Sequence, residues 1–502
     1  MKFVIETPTK AYVQEASLDE IEALKGLLTY TNTAAAHLVK RHYNNRNWRN
    51  TNVTSWSARL EELKKDVTQT LVFKDDQGLY IRPGSISYLS MPHTVENKVQ
   101  YPKPKVIPWH KPLPFTLHSY QQESVEALIR ECVIGPANVE LTTGSGKSAI
   151  LLKVYRETGF KTVIVAPSKS IFNELVEKFE YHFGKGKVGK FGDSKKVLGK
   201  NITIAIGDSL CNVRPGTPEW DFFSTVQMFE ADESHTWGAE TLDQICHGVL
   251  ADVPIRLFFS ATQTRGDGAE RLLQSIIGKT VHTLTTAEAI VGGYICNHDF
   301  RIVEVESSSP SFGSGDALEM KRVHHLGNKN IAAFIAKVAN ADALINKRQS
   351  LILVEELGQI AAIVKLLKVS VVYAHSESRK ERLLELGLAK VNPAESVEVF
   401  NKGEAMVLVG TSCIATGTNI FPVHNLFNWV GGASEIKTKQ GAVGRSVRKM
   451  SSSPYQNPNA PKDKSTIWDF NVCDIPLMVK HLEERIRFYQ DSATEIKYIR
   501  VQ

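Results

Sequence analysis

This 502-residue chain is poor in three things, and each shortage narrows its reading. Cysteine is scarce: Cys132, Cys211, Cys246, Cys296, Cys413 and Cys473 lie far apart and form no CxxC pair. That spacing excludes a disulfide scaffold and a zinc site, and it points to a reduced, cytoplasmic protein. Long apolar runs are missing, since no stretch approaches the ~20 residues of a membrane span. The opening MKFVIETPTKAYV also lacks the apolar centre of a signal peptide. Excess charge is small, at +6 overall. Its placement is more telling. Residues 1–111 hold 16 Lys and Arg against 11 Asp and Glu, so nearly all of the excess sits in the first fifth. An anionic partner is expected there. Short repeats are absent. The chain is too long for one core, so about two to four domains are expected. Its 42% hydrophobic and 23% charged residues are ordinary for a globular protein.

A boundary is present at PKPKVIPWHKPLP, whose five prolines mark an extended linker. Residues 1–112 are therefore expected to form a small α+β N-terminal domain with this linker. Beyond it, strand and helix signals alternate. NVELTT, KTVIVAPS, NITIAIGDS, TVQMFEADES and IRLFFSAT read as short buried strands, and YQQESVEALIREC and SAILLKVYRETG as helices. A second series follows Cys296, with DFRIVEVE, SLILVEEL, SVVYAHS, AMVLVGTS and STIWDF. The fold class expected is α/β, with two tandem parallel-sheet domains at 113–296 and 297–502. Two polar segments, SSSPSFGSGDA and SSSPYQNPNAPKDK, read as surface loops.

Between a strand and a helix lies TTGSGKS. Backbone N–H groups in such a turn can wrap a phosphate chain at a helix N-terminus. Thr143, Gly144, Ser145 and Gly146 would form the cradle. Lys147 would reach the β- and γ-phosphates and Ser148 would hold Mg²⁺. The strict GxxxxGKS pattern fails at Leu141. A solvated Gly/Ser turn is the plainer alternative. The strand TVQMFEA, however, ends in Asp232-Glu233-Ser234-His235. Asp232 can hold the metal, and Glu233 can orient and deprotonate a water. Ser260-Ala261-Thr262 closes the next strand with small hydroxyl residues.

This order of motifs resembles motifs I, II and III of the superfamily 2 (DExH-type) helicases. VLVGTSCIATGTNIFP resembles motif V, and Gly444-Arg445-Ser446-Val447-Arg448 resembles motif VI. The likeness spans roughly residues 113–502. It implies two RecA-like domains that use ATP with Mg²⁺, and Arg445 and Arg448 as ligands of the γ-phosphate. Tyr120-Gln121 would read adenine, and Gly417 of motif V would complete the nucleotide site. Departures include Ser234 in motif II, where Ala is commoner, and Gln440, four residues before Gly444.

The same resemblance places Ser168 and Lys169, Asp208 and Ser209, and Thr411 and Thr416 along a nucleic-acid strand, where hydroxyl and N–H donors suit phosphate contact. Each hydroxyl could equally be a strand-end cap. GKGKVGKFGDSKKVLGK carries six lysines and reads either as a solvated hairpin or as a basic loop touching the duplex. In LVKRHYNNRNWRN, cations and aromatics interleave, with Arg46, Trp48 and Arg49 among them. A structural turn with Trp48 and Tyr43 buried is the alternative, and the stretch is loosely similar to one in phage branch-migration helicases. The expectation is a monomeric, cytoplasmic ATP-dependent DNA helicase of forked or four-way DNA in recombination, replication or repair. An RNA helicase, a double-stranded DNA translocase and an ATP-gated binding module are the alternatives.

Overall fold

The computed structural model describes residues 1–44, 53–234, 237, 239–261, 270–308, 317–414, 419–432, 444–462, 464–490 and 495–501. Two compact units divide the chain: Met1–Leu141 with Gly146–Leu284, and Thr142–Ser145 with Thr285–Gln502.

The first unit begins with β1 (Lys2–Thr7), β2 (Lys10–Gln14), β3 (Thr29–Thr31), β4 (Thr68–Thr70), β5 (Val72–Asp75), β6 (Gly78–Ile81) and β7 (Thr94–Asn97). Five of these strands form a sheet in the order β5-β6-β2-β1-β7, and β3 pairs with β4. Among the described residues, apolar side chains of this sheet join a core shared with the next one. Phe3 and Ile5, with Leu24 of the helix Leu18–Leu27, share one buried cluster with Val163 and Phe258 of the large sheet that follows and Leu273 of the helix Glu270–Ile277. The buried Arg82 fastens the junction, pairing with Asp243 at 2.6 Å and donating to Ser275 Oγ at 3.1 Å. Gly84 is a point of close approach. A Cβ there would meet the Ser275 carbonyl oxygen at 2.4 Å.

The large sheet contains β8 (Ala137–Leu141), β9 (Thr162–Ala166), β10 (Val188–Gly192), β11 (Lys195–Val197), β12 (Ile202–Ile206), β13 (Met228–Ala231), β14 (Ile255–Ser260) and β15 (Lys279–Leu284). Their order is β11-β10-β12-β9-β13-β14-β8-β15. All pairings are parallel except that of the edge hairpin β10–β11. Runs such as TVIVA and IRLFFS are buried along their whole length because helices cover both faces. Parallel strands end on one edge, so the turns after β8, β9, β12 and β13 share that edge.

The lysine-rich stretch before β12 proves to be this edge hairpin. Val188 and Phe191 are buried in the sheet. Asp193 and Ser194, with φ of 51° and 62°, make its tight turn.

The second unit carries β16 (Asn297–Val305), β17 (Ser350–Leu353), β18 (Val371–Ala374), β19 (Val407–Gly410), β20 (Asn425–Asn428), β21 (Lys464–Val472) and β22 (Ile496–Arg500). The order is β18-β19-β17-β20-β21-β16-β22, with every pairing parallel. Two details of this unit lie outside its strand pattern. Asp469 on β21 is fully buried; Arg485 Nε pairs with its carboxylate at 2.7 Å and Tyr489 Oη donates to it at 2.5 Å. The segment SSSPYQNPNAPKDK is a strap. Asn457 Nδ2 donates to Gln349 Oε1 at 2.7 Å, Ala460 N to the Lys347 carbonyl at 3.1 Å, and the buried Lys462 Nζ to the Phe421 and Arg448 carbonyls at 3.1 and 2.6 Å. Asn457 and Lys462 bond inward while Pro454, Gln456 and Pro458 stay exposed, so the segment is a surface loop tied to the unit at these points.

Candidate functional site

The chain turns sharply after β8. Gly144 and Gly146 have φ of 86° and 78°, values that favour glycine. Gly146 is the N-cap of the helix Lys147–Thr158, whose first N–H groups are unserved within the helix. Thr143, Gly144 and Ser145 fall in the stretch grouped with the second unit, and Ser145 is buried. In the first unit, Lys147 Nζ lies 3.3 Å from Glu233 Oε1 and 3.4 Å from the Leu141 carbonyl. The lysine and the acidic pair, separated by more than eighty residues in sequence, therefore meet at one edge of the sheet.

The acidic pair owes its geometry to an unusual backbone. Glu233 has φ of 48°, a strained value for a residue with a side chain. This turn brings its N–H onto Asp232 Oδ1 at 2.9 Å and its carboxylate toward Lys147. Ser234 Oγ donates to the Phe259 carbonyl at 3.3 Å, tying the pair to the end of β14. Ser260 is fully buried there, whereas Thr262 and His235 lie outside the described residues. Burial, reinforced by the Glu233 charge and opposed by Lys147, pushes the Asp232 carboxyl up to about 7. Glu174 adds a further negative charge to the same surroundings. The site thus holds more acid than its own cations balance. A divalent ion is the charge that this carboxyl lacks, and a phosphate chain suits Lys147 and the helix N-terminus at Gly146. The residues present fit a magnesium–nucleotide complex.

Lys178, which the sequence did not single out, donates to Ser148 Oγ at 3.0 Å and pairs with Glu174 at 2.5 Å. Helical spacing gives no sign of this contact, because Lys178 reaches Ser148 from another helix. Gln121 Oε1 accepts from the His118 N–H at 2.9 Å, closing the first turn of the helix Ser119–Glu131. A Cβ on Gly146 would meet Gln121 Nε2 at 2.7 Å, so the Gln121 amide borders the glycine turn. Tyr120 is buried, and its ring stacks with His118 at 5.8 Å.

Ser168 caps the helix Lys169–Phe183, accepting from Ile171 N at 3.4 Å. Lys169 is exposed and pairs with Asp193 in the edge hairpin at 2.7 Å. Ser209 lies on the short helix Gly207–Cys211 and lines a cavity of 370 Å³ with Lys195, Lys196 and Arg214. The hairpin lysines and the two hydroxyl segments thus gather on one side of the first unit.

In the second unit, Thr411 Oγ1 donates to Cys413 Sγ at 3.5 Å just beyond β19. The Arg448 guanidinium bonds Asn419 Oδ1. Lys462 holds the Arg448 carbonyl, a partnership the sequence did not show. Arg445 lies in the short helix Gly444–Ser446, but its side chain is not among the described ones. Thr416, Gly417, Arg46, Trp48 and Arg49 also lie outside the described residues. His42 of the helix Thr33–Asn44 stacks on Trp56 at 5.0 Å. Among the described residues no helix is long and apolar enough to cross a membrane.

Residues 118–268 match the DEAD/DEAH box helicase family. The chain is similar to the DNA 3'-5' translocase XPB2 of Sulfurisphaera tokodaii, at 24% identity over 364 residues, covering 66% of this chain and 79% of that protein. Among solved structures, S. cerevisiae Dbp5 bound to Gle1 matches 76% of this chain and 89% of its own, with a TM-score of 0.51 and 12% identity. A structure of T4 UvsW aligns over 99% of both chains, with a TM-score of 0.42 and 15% identity.

Proposed function

We propose that this chain, which carries a DEAD/DEAH box helicase domain on RecA-like parallel sheets, is an ATP-driven DNA helicase that remodels forked or four-way DNA. The observation that supports the motor reading is the meeting of Lys147 Nζ and Glu233 Oε1 at 3.3 Å, beside a buried Asp232. Magnesium bound with ATP would supply neutralising charge at the phosphates. Lys147 and the helix N-terminus at Gly146 would hold the phosphate chain. Asp232 and Ser148 would bind the metal, and Glu233 would accept a proton from the attacking water. Arg445 and Arg448 would stabilise charge spread over the transferring phosphoryl oxygens, a task suited to delocalised guanidinium groups.

The DNA reading is supported by the translocase XPB2 and by the basic hairpin gathered with Ser168, Lys169 and Ser209. Sequence-independent phosphate contacts suit a motor that must step along any strand. Thr411 and Thr416, with Arg46, Trp48 and Arg49, would extend the track. The protein would work as a monomer in the cytoplasm. The name of that same relative favours a second reading, translocation on duplex DNA without strand separation.

Strand separation with ATP and Mg²⁺ on forked DNA, a four-way junction, linear duplex and tailed RNA duplex tests the proposal. Opening of the branched DNAs alone is expected. Opening of RNA alone would sink the DNA assignment. DNA-stimulated ATP turnover without any opening would leave the translocase reading.

A further inference from the structure

The strand edge of the first unit contains a connection that none of the motifs requires. β12 runs into the short helix Gly207–Cys211, which carries Ser209, and β13 runs into Asp232. In the sheet these two strands are separated by β9. Their tips therefore lie two strand spacings apart, roughly 10 Å, and no backbone ladder joins them directly. Among the described residues, the side chain of Trp237 crosses the gap. A Cβ on Gly207 would lie 1.7 Å from Cζ3 and 2.1 Å from Cη2 of Trp237, so the six-membered edge of the indole rests on the bare Cα of Gly207. At the opposite end of the same ring, Nε1–H donates to the Asp232 carbonyl oxygen at 3.0 Å. Trp237 is 5% exposed, so the bridge is packed on its sides as well as at its ends.

An indole has no internal torsion. Pressed between two tips in a close-packed interior, it passes on a displacement that a flexible side chain would absorb. We propose that Trp237 is a positioning residue that couples occupancy of the strand-binding segment Gly207–Cys211 to the placement of Asp232, so that a bound strand raises ATP turnover. This rests on the functional reading above, which puts a nucleic-acid strand at Ser209 and the metal at Asp232. A strand seated at Ser209 shifts the helix start at Gly207. The ring follows because glycine leaves no cushion between it and the backbone. The hydrogen bond to the Asp232 carbonyl carries the shift to the residue that holds the metal.

The test is ATP turnover by Trp237→Phe, with and without forked DNA, beside its DNA affinity. Phenylalanine keeps a ring against Gly207 and loses the N–H. The ratio of stimulated to basal turnover should fall by about fivefold or more, the scale of ordinary coupling between sites. Basal turnover and DNA affinity should stay within about twofold of wild type. Gly207→Ala attacks the bridge from the strand side and should lower the same ratio. An unchanged ratio in Trp237→Phe overturns the proposal, as does an equal fall in basal and stimulated turnover, which would make Trp237 a support of the ATP site alone. Wild-type protein labelled with 5-fluorotryptophan gives a measurement free of folding defects. The Trp237 ¹⁹F resonance should move when DNA is added without nucleotide, and a fixed resonance overturns the coupling. A wild-type enzyme that no nucleic acid stimulates would instead refute the functional reading, and the coupling with it.

Discussion

Replacing Lys462 with methionine probes the strap of the second unit. The ammonium is buried and serves two backbone carbonyls, Phe421 at 3.1 Å and Arg448 at 2.6 Å. Burial, with the Arg448 charge adding to it, lowers the Lys462 ammonium from 10.5 to about 7. The folded value is thus below the unfolded one. Between about 7 and 10.5 the unfolded chain binds a proton that the folded chain has given up, so stability rises with pH across that window. Integrated from pH 7 to pH 9, the gain is about 2 kcal/mol. Methionine has a similar shape, does not titrate, and leaves both carbonyls without their donor. Urea unfolding followed by tryptophan fluorescence at the two pH values should show wild type gaining about 2 kcal/mol on Lys462→Met. The same difference between the proteins at both pH values would refute the reasoning, because it would mean that Lys462 stays charged in the fold.

Other changes have comparably direct readouts. Gly84→Ala drives a Cβ to 2.4 Å from the Ser275 carbonyl oxygen, and backbone cannot yield as a side chain can. It should cost about 1–3 kcal/mol and expose the amides near residue 84 to hydrogen exchange. Arg485→Met strands the fully buried Asp469 carboxylate and should lower unfolding stability by about 3–5 kcal/mol, much of which Arg485→Met with Asp469→Leu should restore. Burial lowers His325 to about 3 and His298 to about 4, so between those values and 6.5 the unfolded chain takes up protons that the fold refuses, and stability falls as pH drops. His325→Gln should therefore gain about 2 kcal/mol on wild type between pH 7 and pH 5 in urea melts.

Much of the fold could be read from the chain because buried parallel strands are written as short β-branched runs. TVIVA, ITIAI and IRLFFS became β9, β12 and β14. β15, β20 and β22 gave weaker signals. KTVHTL and IKYIR mix charged with apolar residues at the sheet margins, and NLFN is only four residues long. The spacing of Lys147, Asp232 and Glu233 indicated a shared site because each follows a strand on one edge of a parallel sheet. The positive φ of Glu233 was not legible, since a glutamate residue does not itself demand it. Nor were the partners that arrive from elsewhere: Lys178 at Ser148, Lys462 at Arg448 and Trp237 at Asp232. Those contacts depend on how helices and loops pack, which local periodicity does not encode. The shared core of Phe3 with Phe258 was hidden for the same reason, behind a proline-rich segment that looks like a boundary.

The most direct test of the central claim is steady-state phosphate release from Mg²⁺–ATP by wild type and Lys147→Ala, with and without forked DNA. Wild type should hydrolyse ATP and be stimulated by the DNA, and Lys147→Ala should fall to background in both conditions. Turnover that survives in Lys147→Ala would contradict the account, because the phosphate chain would then be held somewhere other than the turn before Lys147.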